Sequence, residues 1–169
     1  MHETRADLDR LQALLDRSYE AAGAHLRAIH EPERRHTAES LVERLQGMCL
    51  LVLATSTRDG RPITGPVDGF FYRGSFYFGS SPESVRFRHI RARPAVSATR
   101  LPGEHLAVSV HGRAVPIDVL SLDEAGFKET LLGYYVPRYG EGWAQMLEDG
   151  AAYARIDADR MLAFNGEGL

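Results

Sequence analysis

The densest chemistry in the chain lies in SSPESVRFRHIRARP, residues 80 to 94, where Ser80, Ser81 and Ser84 lead into Arg86, Arg88, His89, Arg91 and Arg93. Hydroxyl donors followed by a guanidinium at a helix start suit an anion. The first backbone N–H groups of a helix lack internal partners, the macrodipole is positive there, and a guanidinium adds charge-assisted hydrogen bonds. Phosphate is the anion most often held this way. Ser81 and Pro82 predict the helix start, serine as cap and proline as first helical residue. Pro94 predicts the end near Arg93, about three turns on. Phe87, Ile90 and Pro94 then form the face toward the body of the protein, while Arg86, His89 and Arg93 share another. A capped surface helix with solvated arginines explains the same residues, so the segment alone leaves both readings open. Its position directly after an aromatic hairpin favours the anion, because a flat ring attached to a phosphate fits beside aromatic strands.

Other chemistries find little support. There is no Gly-x-Ser-x-Gly elbow, no His-Glu-x-x-His pair and no paired-cysteine spacing, so the commonest hydrolase and zinc-enzyme patterns are missing and no metal ligand set is expected. Cys49, the sole cysteine, lies in an apolar run and reads as a buried thiol. The histidines are scattered without ligand spacing. Tyr134, Tyr135, Tyr139 and Trp143 are able to roof a pocket, but tail aromatics of this kind read first as packing.

The elements that must position these residues follow from length and pattern. A chain of 169 residues with 44% hydrophobic and 25% charged content fits one globular domain with a short annex. Met48 to Ala54, the longest apolar run, is far too short to span a bilayer, and the charged N-terminus lacks the pattern of a secretory signal, so a cytoplasmic protein is expected. A net charge of −3 gives no overall basic bias for nucleic acid. Leu8, Leu11, Leu15, Ala22, Leu26 and Ile29 predict one amphipathic helix, broken near Pro32. Thr37 caps a second, ending at about Gly47. Residues 1–47 are thus expected to be a helical extension and 48–169 the main domain.

From Met48 the pattern is of strands. CLLVLAT suits burial on both faces. Asp59-Gly60 predicts a hairpin into a strand from Ile63 to Asp68, and Arg73-Gly74 predicts a second between FFY and FYFGS. AVSATR, a Pro-Gly turn and HLAVSVHGRAVPIDV follow, the last as one long strand or two joined at Gly112. The tail offers helices over 122–135 and 142–148, then strands over 153–156 and 161–164. Tight turns between successive strands predict a mainly β protein with flanking helices, built on a small antiparallel barrel.

On LVLATSTRDGRP, GPVDGFFYRGSFYFGS, SVRFRHIRARPAVSA and VHGRAVPID the chain resembles the pyridoxamine 5′-phosphate oxidase-like split-barrel flavoproteins. The order and spacing of these pieces carry the resemblance, over residues 50 to 118. It implies a split barrel, a homodimer with cofactor sites at the interface, a small-molecule substrate and FMN as cofactor. It also implies that Ser84 and Arg86 hold the FMN phosphate, with Val85 between them and Ser80 and Ser81 beside them. Pro66, Val67 and Asp68 match the strand that meets the flavin, Phe78 and Gly79 match the aromatic strand beside the phosphate, and His111 lies where the partner subunit approaches. His89 stands where relatives carry asparagine and reads as a satisfied helix histidine. The C-terminal Trp- and Arg-rich signature of the true oxidase is not reproduced, and the N-terminal helices lie outside the family pattern. The reading is therefore an FMN-dependent oxidoreductase of open substrate. Its rivals are a deazaflavin-dependent reductase, a non-catalytic flavin- or haem-binding protein with a ligand such as His111, and an interaction module that binds no cofactor.

Overall fold

The computed structural model describes residues 2–166. Six antiparallel strands, β1 (Met48–Ser56), β2 (Pro62–Tyr72), β3 (Ser75–Ser80), β4 (Ala95–Gly103), β5 (Leu106–Ile117) and β6 (Ala152–Asn165), close into a barrel in the order β1-β2-β3-β6-β5-β4. Helix α4 (Val85–Ala92) bridges β3 and β4, while α5 (Ala125–Tyr139) and α6 (Gly142–Glu148) lie between β5 and β6. Three helices precede the barrel: α1 (Arg5–Glu20), α2 (Ala24–Ile29) and α3 (Ala38–Arg44). Among the described residues no helix is long and apolar enough to cross a membrane.

Turn chemistry sets the strand pairing. Arg73 and Gly74 both take positive φ, 51° and 80°, as a two-residue hairpin between paired Tyr72 and Ser75 requires. The strand expected from Ile63 to Asp68 runs on without interruption into FFY, so that residues 62 to 72 form one strand. Residues 153–156 and 161–164 likewise belong to one strand. Opposite them His111 pairs with Arg160 and Gly112 with Ala158, so Asp159 is the extra residue of a bulge. Gly112 fits there because a Cβ would stand 2.1 Å from the Asp157 carbonyl oxygen.

Strand β1 corrects the expectation of two buried faces. Cys49, Leu51 and Leu53 point into the barrel, but Leu50 and Val52 face outward at 55% and 52% exposure. Here the barrel covers β1 from inside only, unlike the helix-covered parallel sheets in which continuous apolar runs are common. Two apolar clusters result. The inner one joins Leu51, Phe76, Phe78, Phe87 and Met161 with Leu15 of α1 and Leu41 of α3. The outer one places Phe127 and Leu131 of α5 and Leu147 of α6 over Phe70, Tyr77 and Tyr153 of the sheet.

The N-terminal helices lie on the barrel. Tyr19 donates its hydroxyl to the Ala163 carbonyl at 2.8 Å, and the Met161 amide donates to Ser18 Oγ at 3.0 Å. The single helix expected to Ile29 is split, because α1 ends at Glu20 and Gly23 takes the extended backbone of a new N-cap. Thr37 caps α3 as expected, accepting from the Ser40 amide.

His30 packs between Tyr19 and Phe164, its Nδ1 buried without a partner, while the Arg35 guanidinium lies over the Tyr19 ring. Burial, and secondarily the Arg35 charge, hold its pKa below the usual 6.5. The folded protein thus takes up this proton less readily than the unfolded chain. The His30 contribution to stability is full above pH 6.5 and is lost as pH falls through the lowered folded value. Urea midpoints measured across that range are expected to drop for the wild type and to flatten in His30→Phe. Parallel profiles for the two proteins would rule out His30 as the titrating group.

Candidate functional site

Helix α4 is strapped to the barrel by the face that its spacing marks out. Phe87 and Ile90 are buried, as expected. Arg86 donates through Nη2 to the Pro66 carbonyl of β2 at 2.9 Å, His89 Nδ1 lies 2.9 Å from Thr55 Oγ1, and Arg93 Nε donates to the Ser56 carbonyl at 3.0 Å. His89 is thus satisfied in structure. The helix starts later than expected: Ser84, not Ser81, is the N-cap, accepting from the Phe87 amide, and Ser80 is the last residue of β3. Residues 81–83 form the link between them, with Ser81 Oγ accepting from the Glu83 amide, and Ser80, Ser81 and Arg86 line one cavity.

Two cavities meet at Arg86. The smaller, about 190 Å³, lies between β1, β2 and α4 and is lined by Thr64, Gly65, Ser80, Ser84, Val85 and Arg86. The larger, about 630 Å³, has Pro66, Val67, Asp68 and Gly79 on its floor, with Ser80, Ser81 and Arg86 at one end. Its volume is within the ~300–1,000 Å³ of typical ligand sites. Residues of α6 and the following turn, Trp143, Met146 and Asp149, complete its wall with Tyr135 of α5. Gly79 shapes the floor, since a Cβ there would stand 2.5 Å from the Tyr153 ring.

The remaining lining of the large cleft is aromatic and acidic. Tyr135 and Trp143 stack at 4.3 Å with an interplanar angle of 17°. The Tyr135 hydroxyl donates to Asp68 Oδ2 at 2.7 Å. Burial and then the Asp68 carboxylate raise the Tyr135 pKa well above the ordinary phenol value, and burial with the same charge pushes Tyr153 up to about 12. Cys49 sits inside the barrel, where burial lifts its thiol to about 11, so at neutral pH it is protonated.

The structure brings together most of the residues marked in the sequence. Pro66, Val67, Asp68, Gly79, Ser80, Ser81 and Arg86 line the large cleft, and Ser84 and Val85 line the small one. Phe78 is fully buried and packs against Phe87, supporting the floor from inside. His111 is exposed on β5, lines neither cavity and has its Nδ1 2.8 Å from Ser97 Oγ. Among the tail aromatics, Tyr135 and Trp143 reach the cleft, whereas Tyr134 packs on Phe70 and Tyr139 is largely exposed. Met146, Asp149 and Tyr153 carry no signal in the sequence that links them to β2, since long stretches of chain intervene.

A closed barrel of this strand order, with a helix after the third strand and the cleft at its foot, is the split barrel of the pyridoxamine 5′-phosphate oxidase-like proteins. A conserved hypothetical protein of Mycobacterium tuberculosis superposes with a TM-score of 0.67 at 16% identity, over 81% of this chain and 89% of that one. An F420 reductase matches with a TM-score of 0.54 at 18% identity over 69% and 91% of the two chains. A candidate pyridoxamine 5′-phosphate oxidase of Listeria innocua matches with a TM-score of 0.54 at 13% identity over 74% and 93%. At these identities the shared property is the fold. No protein-family model matches the chain, and no curated protein does.

Proposed function

We propose that the protein is an FMN-dependent oxidoreductase acting on a small organic substrate. The observation that carries this reading is the meeting of the two cavities at Arg86, where a guanidinium and the Ser80, Ser81 and Ser84 hydroxyls adjoin a cleft wide enough for a planar ring. This donor set fits a phosphate ester. Arg86 spends one N–H on Pro66 and keeps the rest of its fork for phosphate oxygens. The β2 backbone at Pro66, Val67 and Asp68 would flank the flavin ring, leaving the part of the cleft walled by Tyr135 and Trp143 for substrate. Bound FMN supplies hydride and electron transfer, so the chain needs to bind, orient and shield rather than provide a nucleophile.

The test is an absorption spectrum after incubation with FMN and removal of the excess. Bands near ~370 and ~450 nm that stay with the protein are the expected result for bound flavin. A colourless protein would overturn the reading. The similarity to an F420 reductase favours deazaflavin as the second reading, and retention of deazaflavin in preference to FMN would establish it.

The same reading includes a homodimer. Leu50 and Val52 face outward on β1, paired with Asp68 and Pro66 of β2, so a second subunit covering them borders the cleft. Ile63, 44% exposed on β2, extends the apolar strip. Val52→Glu is expected to convert a dimeric mass to a monomeric one in light scattering and to weaken FMN retention. A dimer that survives the substitution would place the interface elsewhere.

A further inference from the structure

We propose that the large cleft selects planar cationic rings, such as a pyridinium or a protonated aromatic amine, as its substrate class; this rests on the flavin reading for the location of the site. The charged side chains lining the cleft are Asp68, Arg86 and Asp149. They are not mixed at random. Arg86 stands where the two cavities join, whereas Asp68 and Asp149 line the large cleft alone, one from the strand floor and one from the turn after α6. A ligand beyond the phosphate end therefore meets two carboxylates together with Tyr135, Trp143 and Tyr153.

Among the described residues, the hydrogen-bond partner of each carboxylate is uncharged. Asp68 accepts the Tyr135 hydroxyl, and Asp149 accepts Gln145 Nε2 at 3.0 Å, both uncharged donors. The negative field of Asp68 is also felt by its neighbours, since it helps raise the pKa of Tyr135 and Tyr153. An aromatic ring face is electron-rich, and tryptophan is the best of the side chains at attracting a cation. Met146, half exposed on the rim, adds a soft apolar contact. Flat, apolar and negative surroundings suit a ring with delocalised positive charge and repel an anionic ring of the same size.

Trp143 is the only tryptophan, so its fluorescence reports directly on the cleft. The probes are 1-methylnicotinamide, methylated on the ring nitrogen, nicotinamide and nicotinate, which have nearly the same ring with positive, neutral and negative charge. Each is titrated into the FMN-treated protein after its visible spectrum has been recorded. The cation is expected to quench Trp143 with an affinity at least ~10-fold above that of nicotinate, the scale of one ion pair plus a cation–π contact. Asp68→Asn and Asp149→Asn are each expected to shrink that ratio. Nicotinate binding as tightly as the cation, or no quenching by any probe, would overturn the proposal. The visible spectrum separates the two readings: a colourless protein that still prefers the cation removes the flavin alone, and a yellow protein without preference removes the charge selection alone.

Discussion

Replacing Arg86 by alanine is expected to weaken FMN binding by about 10- to 150-fold, the ~1.5–3 kcal/mol of a hydrogen bond to a charged group. The side chain reaches from α4 to the Pro66 carbonyl and lines both cavities, so in the proposed reading it is the cation that would hold the phosphate. Arg86→Lys keeps the charge but loses the planar fork and is expected to fall between the two. Arg88→Ala removes an exposed arginine that lines neither cavity and should leave binding unchanged. Fluorescence titration of the flavin on the three variants gives the comparison. Wild-type affinity in Arg86→Ala would mean that the phosphate lies elsewhere.

Phe127→Ala is expected to cost about 3–5 kcal/mol, the range for deleting a buried phenylalanine ring. Phe127 is fully buried at the centre of the outer cluster, 4.4 Å from the Tyr77 ring and in contact with Phe70, Tyr72 and Tyr153. The loss falls on the layer that carries α5 and α6 over the cleft, and the inner barrel core does not include it. Urea unfolding followed by circular dichroism and by Trp143 emission should therefore separate into two transitions, with the Trp143 signal lost first. A destabilisation below ~1 kcal/mol, with coincident transitions, would show that the roof does not depend on this ring.

Local chemistry was legible in the sequence and distant packing was not. The Arg73-Gly74 hairpin, the Thr37 cap and the inward Phe87 and Ile90 depend on residues close in the chain, and each is found where its pattern placed it. Ser84 displaced Ser81 as the cap of α4 because both are good caps and only tertiary packing chooses between them. The outward Leu50 and Val52 depart from the expectation because a continuous apolar run does not say which faces of a strand are covered. Arg86 and residues 66–68 of β2, marked in the sequence, line the same cleft. Its aromatic wall was read as packing, because Tyr135 meets Asp68 only when α5 is laid back across the barrel.

The strand order has a consequence for synthesis. β6 is last of the strands in sequence, yet it sits between β3 and β5, and α1 rests on it. Until it emerges from the ribosome, β3 and β5 each present an unpaired edge, and the N-terminal helix has no surface to settle on. Barrel closure must therefore await β6, and a polypeptide stalled before residue 152 carries two open edges ready to pair with another chain.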